Sequence, residues 1–307
     1  MRETFFKAIE DIASARDDIF ILTGDLGFKL FDSFKTKYPD RFFDIGVAEA
    51  NMIGIAAGLA LSGKQVYCYS IAPFLIMRAF EQIRVDVAYH NVNVRLVGVG
   101  GGLSYGMEGF THLGIEDLVL MRSLPNMTVI APADPMEAKQ IAKISCEYEG
   151  PIYIRLGKNG DDAVHNIFPD IQIGKALMLR EGKDIAIFAI GNMVLVGRHV
   201  ADMLKKRGID VALINMHTLK PLDVKTIMEY CGSHRAIFSL EEHIVNGGLG
   251  SAIAEVLSEN SYKGLFKRIG IPEKLHNTIG HGDYLRAIYG LTPEKVYDSI
   301  MKEFEKH

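Results

Sequence analysis

Cysteine is scarce in this chain: Cys68, Cys146 and Cys231 are odd in number, far apart and form no CxxC pair. That leaves no disulfide framework and predicts reduced, buried thiols in a cytoplasmic protein. No apolar run approaches the roughly 18 residues that a membrane span requires. An excess of one charge is lacking too. The formal net charge of −4 gives no general electrostatic reason to bind nucleic acid or an anionic membrane, so an anionic ligand must be met by a local basic pocket. Low-complexity tracts and solenoid-length repeats are absent. The amino terminus does not read as a signal peptide: Glu3, Glu10 and Asp11 accompany Phe5, Phe6, Ile9 and Ile12 at helical spacing, which predicts an amphipathic helix.

What is present is ordinary globular material, with 48% hydrophobic and 23% charged residues over 307 positions. A chain of that size favours two cores of about 150 residues each. Short β-branched runs at Ile19 to Thr23, Phe42 to Ile45, Gln65 to Ser70, Val92 to Val99, Met127 to Ala131 and Ile152 to Arg155 predict strands. Helix-length stretches at Glu49 to Leu61, Phe74 to Ala88 and Pro135 to Cys146 lie between them. This alternation predicts a mostly parallel sheet with helices on both faces. Asp134 is the expected N-cap of the third helix, with Pro135 at its first position. A polar stretch opening on Gly157, Lys158, Asn159, Gly160, Asp161 and Asp162 reads as the linker. A second alternation comes after it, with strands at Asp184 to Ile190, Asp210 to Met216 and Ala236 to Leu240 and a helix at Val194 to Arg207. The expected architecture is therefore α/β: two doubly wound domains at 1–160 and 183–307, joined by a linker at 161–182.

Three segments carry candidate chemistry. In DIGVAEANMIGIAAG, from Asp44 to Gly58, a strand ends and a helix begins with Glu49 in its first turn. Alone, Glu49 reads as a carboxylate favoured by the helix N-terminus; it also sits at the carboxyl edge of a parallel sheet, where open α/β folds bind ligands. VGGGLSYGMEGFTHLGIED, from Val99 to Asp117, holds six glycines and predicts a loop of unusual backbone angles or close ligand approach. It matches neither glycine-rich phosphate motif. Alone, its His112 reads as a capping or core histidine before a helix from Ile115. In YCYSIAPFLIMRAFEQ, from Tyr67 to Gln82, Phe74, Met77 and Phe80 have the helical spacing of core residues, although one aromatic could present its face to a flat ring.

Together, in this order and spacing, the three segments resemble the pyrimidine-binding domain of transketolase and of 1-deoxyxylulose-5-phosphate synthase. GVAEANMIGIAAGLALSG is similar to the segment around the family's catalytic Glu, and EGFTHLGIEDLVLMRSLPNMTVIAPAD to its DGxTHQ segment and the stretch after it. KPLD at Lys220 to Asp223 and EEHIVNGGLGSAIAEVL from Glu241 resemble the family's C-terminal domain. Gly247, Gly248 and Gly250 lead into a helix there without a phosphate-binding lysine and read as packing.

The resemblance implies a thiamine-diphosphate enzyme that transfers a two-carbon ketol unit from a ketose, expected to be phosphorylated, to an aldose. Glu49 then matches the Glu that hydrogen-bonds N1′ of the cofactor's aminopyrimidine, and His112 a histidine near the donor's oxygen atoms. Phe74 is the candidate for stacking on the pyrimidine, and Asp25 matches an acid near the thiazolium ring. Arg2 aligns with an arginine that contacts substrate phosphate. Lys158 falls where the family has another such arginine, with loss of the bidentate fork. Lys29 stands where transketolase places a serine, Gly100 and Gly101 where relatives carry a basic side chain, and Glu108 where an Asp contacts a substrate hydroxyl. The substrate need not be the usual pentose phosphate.

The family's GDG motif, with the Asn that helps it hold Mg²⁺ and the diphosphate, has no counterpart; Gly24-Asp25-Leu26 is not that motif. The expectation is a subunit that needs a separate diphosphate-binding partner holding Mg²⁺, as an α₂β₂ assembly. The alternatives are the β subunit of a 2-oxoacid dehydrogenase E1 component and a non-catalytic regulatory module on the same frame.

Overall fold

A computed structural model describes residues 1–158, 163–273 and 277–306. The first sheet contains β1 (Ile19–Thr23), β2 (Phe42–Asp44), β3 (Gln65–Ile71), β4 (Val94–Val99), β5 (Thr128–Ile130) and β6 (Ile152–Leu156). The second part of the chain adds β7 (Leu177–Arg180), β8 (Ile185–Ala189), β9 (Val211–Asn215), β10 (Thr218–Lys220), β11 (Ala236–Ile244) and β12 (Leu265–Ile271). Among the described residues, no helix is long and apolar enough to cross a membrane.

The seven-stranded sheet runs β10-β5-β6-β4-β3-β1-β2, and the five-stranded sheet runs β12-β11-β8-β9-β7. Among the described residues, every pairing is parallel except β10 with β5 and β7 with β9. Strands β3, β4, β6, β8 and β9 are buried at every position. That continuous burial, with helices on both faces, is why apolar residues dominate them, with isolated buried polar residues such as Gln65, Arg95, Arg155 and Asn215. Two doubly wound, mostly parallel sheets are thus what the alternation predicted.

Several features depart from the sequence reading. Strand β7 forms inside the stretch read as linker, and Asn159 to Asp162 of that stretch lie outside the described residues. Strand β10 leaves the second half of the chain to close the open edge of β5, with Thr218 opposite Ile130. The stretch Phe74 to Ala88 is not one helix: Ala72–Met77 ends before Arg78, and Phe80–Gln82 runs into a wider turn at Ile83–Tyr89. The break falls at Arg78 and Ala79, and it leaves Met77, expected in the core, exposed. The helix after the glycine-rich loop starts at Asp117 rather than Ile115.

Capping agrees closely with the sequence. Asp134 Oδ1 accepts the Glu137 N–H at 2.9 Å with Pro135 at the first helical position, an arrangement worth about 1 kcal/mol. In the second unit the nest at Gly247–Gly250 is filled from within. The Glu241 carboxylate accepts the N–H groups of Leu249 and Gly250, both at 2.8 Å. A Cβ on Gly248 would lie 1.9 Å from Glu241 Oε2, so this anion site has its own permanent occupant, and the packing reading stands. Cys68 and Cys146 are buried and Cys231 partly so; burial pushes all three thiols up, as expected of inert cysteines.

Between the units, the buried Glu137 accepts His165 Nε2 at 2.5 Å and Asn215 Nδ2 at 2.6 Å, while its other oxygen takes the Ala133 N–H at 2.8 Å. Asp134 Oδ2 accepts the N–H groups of Val164 and His165, both at 2.9 Å. Partial burial works against the His165 imidazolium, but the Glu137 hydrogen bond and charge outweigh it and raise the pKa. Burial without such a partner instead drives the neighbouring His217 down to about 4, keeping it neutral. A raised imidazole adds stability that is complete below its unfolded value and is lost as pH rises through its folded value. His165→Gln is therefore expected to lower the thermal midpoint more at pH 6 than at pH 9; calorimetry of both proteins at the two pH values checks this, and equal losses would count against it.

Candidate active site

The carboxyl ends of β1, β2, β3, β4 and β6 converge on one edge of the first sheet, and the residues singled out from the sequence lie just beyond them. Glu49 opens the helix Glu49–Leu61 just after β2, and it is 2% exposed. Its buried face exists because Met52, Ile53, Ala56 and Ala57 anchor that helix in the core. Glu49 Oε1 accepts from Ser70 Oγ at 3.1 Å, and Oε2 pairs with Arg78 Nη1 at 3.0 Å. The glycine at position 24 allows the β1 turn to pass close by: a Cβ there would sit 3.3 Å from Gly46 O and 3.6 Å from Glu49 Oε1.

Arg78 continues the chain of contacts. Its guanidinium lies 4.2 Å from the centroid of the Phe74 ring while hydrogen-bonded to Glu49. A flat hydrogen-bond donor is thereby accommodated between a carboxylate edge and an aromatic face. The Phe74 ring meets His112 edge-on, with centroids 4.8 Å apart, and His112 lies 6.2 Å from Tyr105. Thr111 Oγ1 engages His112 Nδ1 at 2.9 Å. Lys158 Nζ sits 4.1 Å from the Tyr105 ring centroid and 2.9 Å from Glu108 Oε1. Slight burial alone would raise the Glu108 carboxyl, but the Lys158 hydrogen bond prevails and lowers it. Arg2 enters from the first helix: burial pushes Tyr69 up to about 12 against the charge and hydrogen bond of Arg2, which also acts on Tyr105.

Glu49, Phe74, His112, Glu108, Lys158 and Arg2 are thus linked through Arg78, Tyr105 and Tyr69. Asp25 and Lys29 stand in the neighbouring turn after β1, both exposed and both with positive φ, 56° and 66°. The Asp25 N–H is held by Asp44 Oδ1 at 2.9 Å. Arg78, Ser70 and Tyr105 were not singled out from the sequence. Arg78 had a signal, a lone cation among the apolar residues of IAPFLIMRAF; the other two look like ordinary strand and loop residues. Gly100 and Gly101 have no room for a side chain. A Cβ at Gly100 would fall 2.0 Å from the Tyr105 ring, and one at Gly101 2.5 Å from Arg155 Nε.

Arg155 fixes the base of the glycine-rich loop. It is buried, with Nε 2.8 Å from Asp117 Oδ2 and Nη2 donating to Gly114 O at 2.6 Å and Glu242 O at 2.9 Å. Tyr153 donates to the same Asp117 oxygen at 2.5 Å. Burial opposes the Arg155 charge, but the charges of Asp117 and Glu242 and the Asp117 hydrogen bond prevail and keep it firmly protonated.

The sequence matches the family described as transketolase, pyrimidine binding domain, over residues 1–160, and that described as transketolase, C-terminal domain, over residues 174–296. The chain belongs to the transketolase family. It is 37% identical to an apulose-4-phosphate transketolase subunit of Actinobacillus succinogenes, covering 86% of this chain and 85% of that one. It is 36% identical to a 6-deoxy-6-sulfo-D-fructose transketolase subunit of a Clostridium species, covering 96% and 92%. A solved split-gene transketolase, described as an inactive β4 tetramer, superposes with a TM-score of 0.91 at 37% identity over 99% of this chain and 98% of that one. Transketolases are transferases, and the family implies thiamine diphosphate as cofactor.

In this transketolase chain, the Arg155–Asp117 pair joins the strand layer to the loop that carries Glu108 and His112. Removing one member of a buried pair costs about 3–5 kcal/mol, whereas replacing both with apolar groups is often neutral. Arg155→Met should lower the stability measured by urea unfolding by that amount, and adding Asp117→Leu should recover most of it. A single variant as stable as the parent would contradict a supporting role for the pair.

Proposed function

We propose that this chain is the catalytic-glutamate subunit of a split transketolase, moving a two-carbon ketol unit from a ketose to an aldose. The observation that carries the reading is the Glu49–Arg78–Phe74 arrangement, a buried carboxylate and an aromatic face with a flat hydrogen-bond donor between them. An aminopyrimidine has the same needs, an acceptor at its edge and an apolar surface under its ring. Glu49 would share a proton with N1′ of the pyrimidine, Phe74 would carry the ring, and Asp25 would stand near the thiazolium. When bound, thiamine diphosphate supplies the nucleophilic carbon and the electron sink for carbon–carbon cleavage. The chain's own groups provide orientation and proton control. With Nδ1 engaged by Thr111, His112 has Nε2 to offer the donor's oxygen atoms, where it would stabilise developing charge.

Substrate contacts arise from the same edge. Arg2, Lys29 and Lys158 would meet an anionic group on the sugar, a phosphate in our reading, and Glu108 a hydroxyl. Lys158 and Glu108 hold each other at 2.9 Å, so a sugar bearing both an anion and a hydroxyl could exchange that surface pair, worth little in water, for two contacts of its own. Residues 1–160 would serve as the pyrimidine-binding unit and 183–307 as the second domain.

A partner would complete the site. On the helix headed by Glu49, Gly54, Ile55, Gly58 and Leu61 are exposed opposite the buried face, and Cβ atoms on Gly54 and Gly58 would meet nothing within 4 Å among the described residues. A small, apolar helix face beside the cofactor carboxylate suits close packing by another subunit. That subunit would hold the diphosphate and Mg²⁺, giving an α₂β₂ enzyme of carbohydrate metabolism in the cytoplasm.

Glu49→Gln should leave co-purification with the diphosphate-binding subunit intact yet lower ketol transfer by a factor on the order of 10² to 10⁴. Turnover assayed with thiamine diphosphate, Mg²⁺ and phosphorylated and unphosphorylated ketoses tests this. Normal turnover by the variant would remove the central claim, and decarboxylation of a 2-oxoacid in place of ketol transfer would favour a dehydrogenase component.

A further inference from the structure

The loop that carries Glu108 and His112 belongs to the first unit by sequence, but much of its support comes from the second. Its base closes where Gly102 N–H donates to Gly114 O at 2.7 Å and Gly114 N–H to Gly102 O at 3.2 Å. Directly beneath lies Glu242 of β11, fully buried. Glu242 Oε1 accepts the Leu103 N–H at 2.7 Å; Oε2 accepts Asn192 Nδ2 at 2.9 Å and Arg286 Nε at 2.5 Å. The approach depends on glycine: Gly102 has φ +69°, and a Cβ there would lie 2.2 Å from Glu242 Oε1. The helix Gly282–Tyr289 supports the far side of the loop. Gly280 N–H donates to Gly106 O at 3.3 Å, and a Cβ on Gly106 would sit 2.3 Å from Gly280 O and 2.4 Å from Leu285 Cδ1. Arg286 is itself oriented by Asp283, at 2.8 Å.

We propose that Glu242, oriented by Arg286, is a positioning residue for the reaction: from the second domain, it sets the path of the loop that presents His112 and Glu108 to the substrate. The carboxylate is suited to this because all of its partners are donors. It ties one loop N–H, Leu103, to two side chains of its own domain, Asn192 and Arg286. A neutral amide could keep only part of the set, since its NH₂ would face a donor. The proposal rests on the reading of His112 as substrate-contacting.

Three variants test it in the complex reconstituted with the diphosphate-binding subunit: Glu242→Gln, Arg286→Gln and His112→Ala. Arg286 is the outer member of the pair, and in that variant Glu242 keeps the Leu103 N–H and Asn192 as donors. Misplacement by about 1 Å costs on the order of 10²-fold in rate, so Glu242→Gln should lower kcat to that extent and Arg286→Gln less. Two readouts separate positioning from a merely structural role. Amide exchange of residues 100–114 in the isolated full chain should accelerate in both Glu242→Gln and Arg286→Gln, with exchange in β3 and β4 unchanged. In the His112→Ala background, Glu242→Gln should have a smaller further effect on kcat than in the parent, since only the placement of Glu108 remains to be lost. Full additivity of the two substitutions, or unaltered exchange in the loop, would overturn the proposal. Full activity of His112→Ala would instead overturn the reading of His112, while the exchange result would still decide whether Glu242 holds the loop.

Discussion

The Arg155 guanidinium has been taken out of water between two sheets, which costs several kcal/mol unless its donors are met. Asp117 returns part of that through charge, and the carbonyl oxygens of Gly114 and Glu242 accept two further hydrogen bonds. Because those acceptors belong to the glycine-rich loop, the helix after it and β11 of the other unit, one side chain fixes the relative placement of all three. The site depends on that placement. Glu49 and Phe74 come from the first sheet's carboxyl edge, whereas His112 reaches them only if the loop's base is held where Arg155 holds it. The network is not perfectly matched, as Asp117 Oδ1 is buried without a partner among the described residues, so its geometry is more constraining than its net energy.

Much of the fold was legible in the sequence because the buried strands are mostly apolar, β-branched runs and the helix at Pro135 begins at a recognisable Asp134 cap; β1 and the helix Glu49–Leu61 fall at the residues expected. The strands that escaped have physical reasons. Strand β10 is three residues long and ends against a proline, β7 is half exposed at a sheet edge inside a polar stretch, and β12 carries Lys267 and Arg268 on the outermost strand. Glu49, Phe74 and His112 became candidates through resemblance and neighbourhood rather than through any property of their own. Arg78 was passed over because it lies in a stretch read as one helix with a core-facing side, and its pairing with Glu49 is a contact between two helices that spacing alone does not reveal.

The two glycine-rich segments make a contrast that composition cannot. Gly100 to Gly114 and Gly247 to Gly250 both bring backbone N–H groups close to a carboxylate, and in each case the glycines make room for it. At Gly247–Gly250 the Glu241 carboxylate fills a helix end, and burial raises its pKa to about 7. At Gly102, Glu242 takes one loop N–H and leaves the rest of the loop to face the sheet edge. Adjacent residues on one strand thus close one nest and steer the other.

Strand β10 sets an order on how the chain can be made. The outer edge of β5 is complete as a strand once residue 130 has been synthesised, yet the segment that covers it begins at Thr218. During synthesis from the amino terminus, the first sheet must emerge from the ribosome with that edge bare, and an uncovered edge is a template for pairing with another nascent chain. The shortness of β5, three residues, limits that exposure until the second unit arrives to close it.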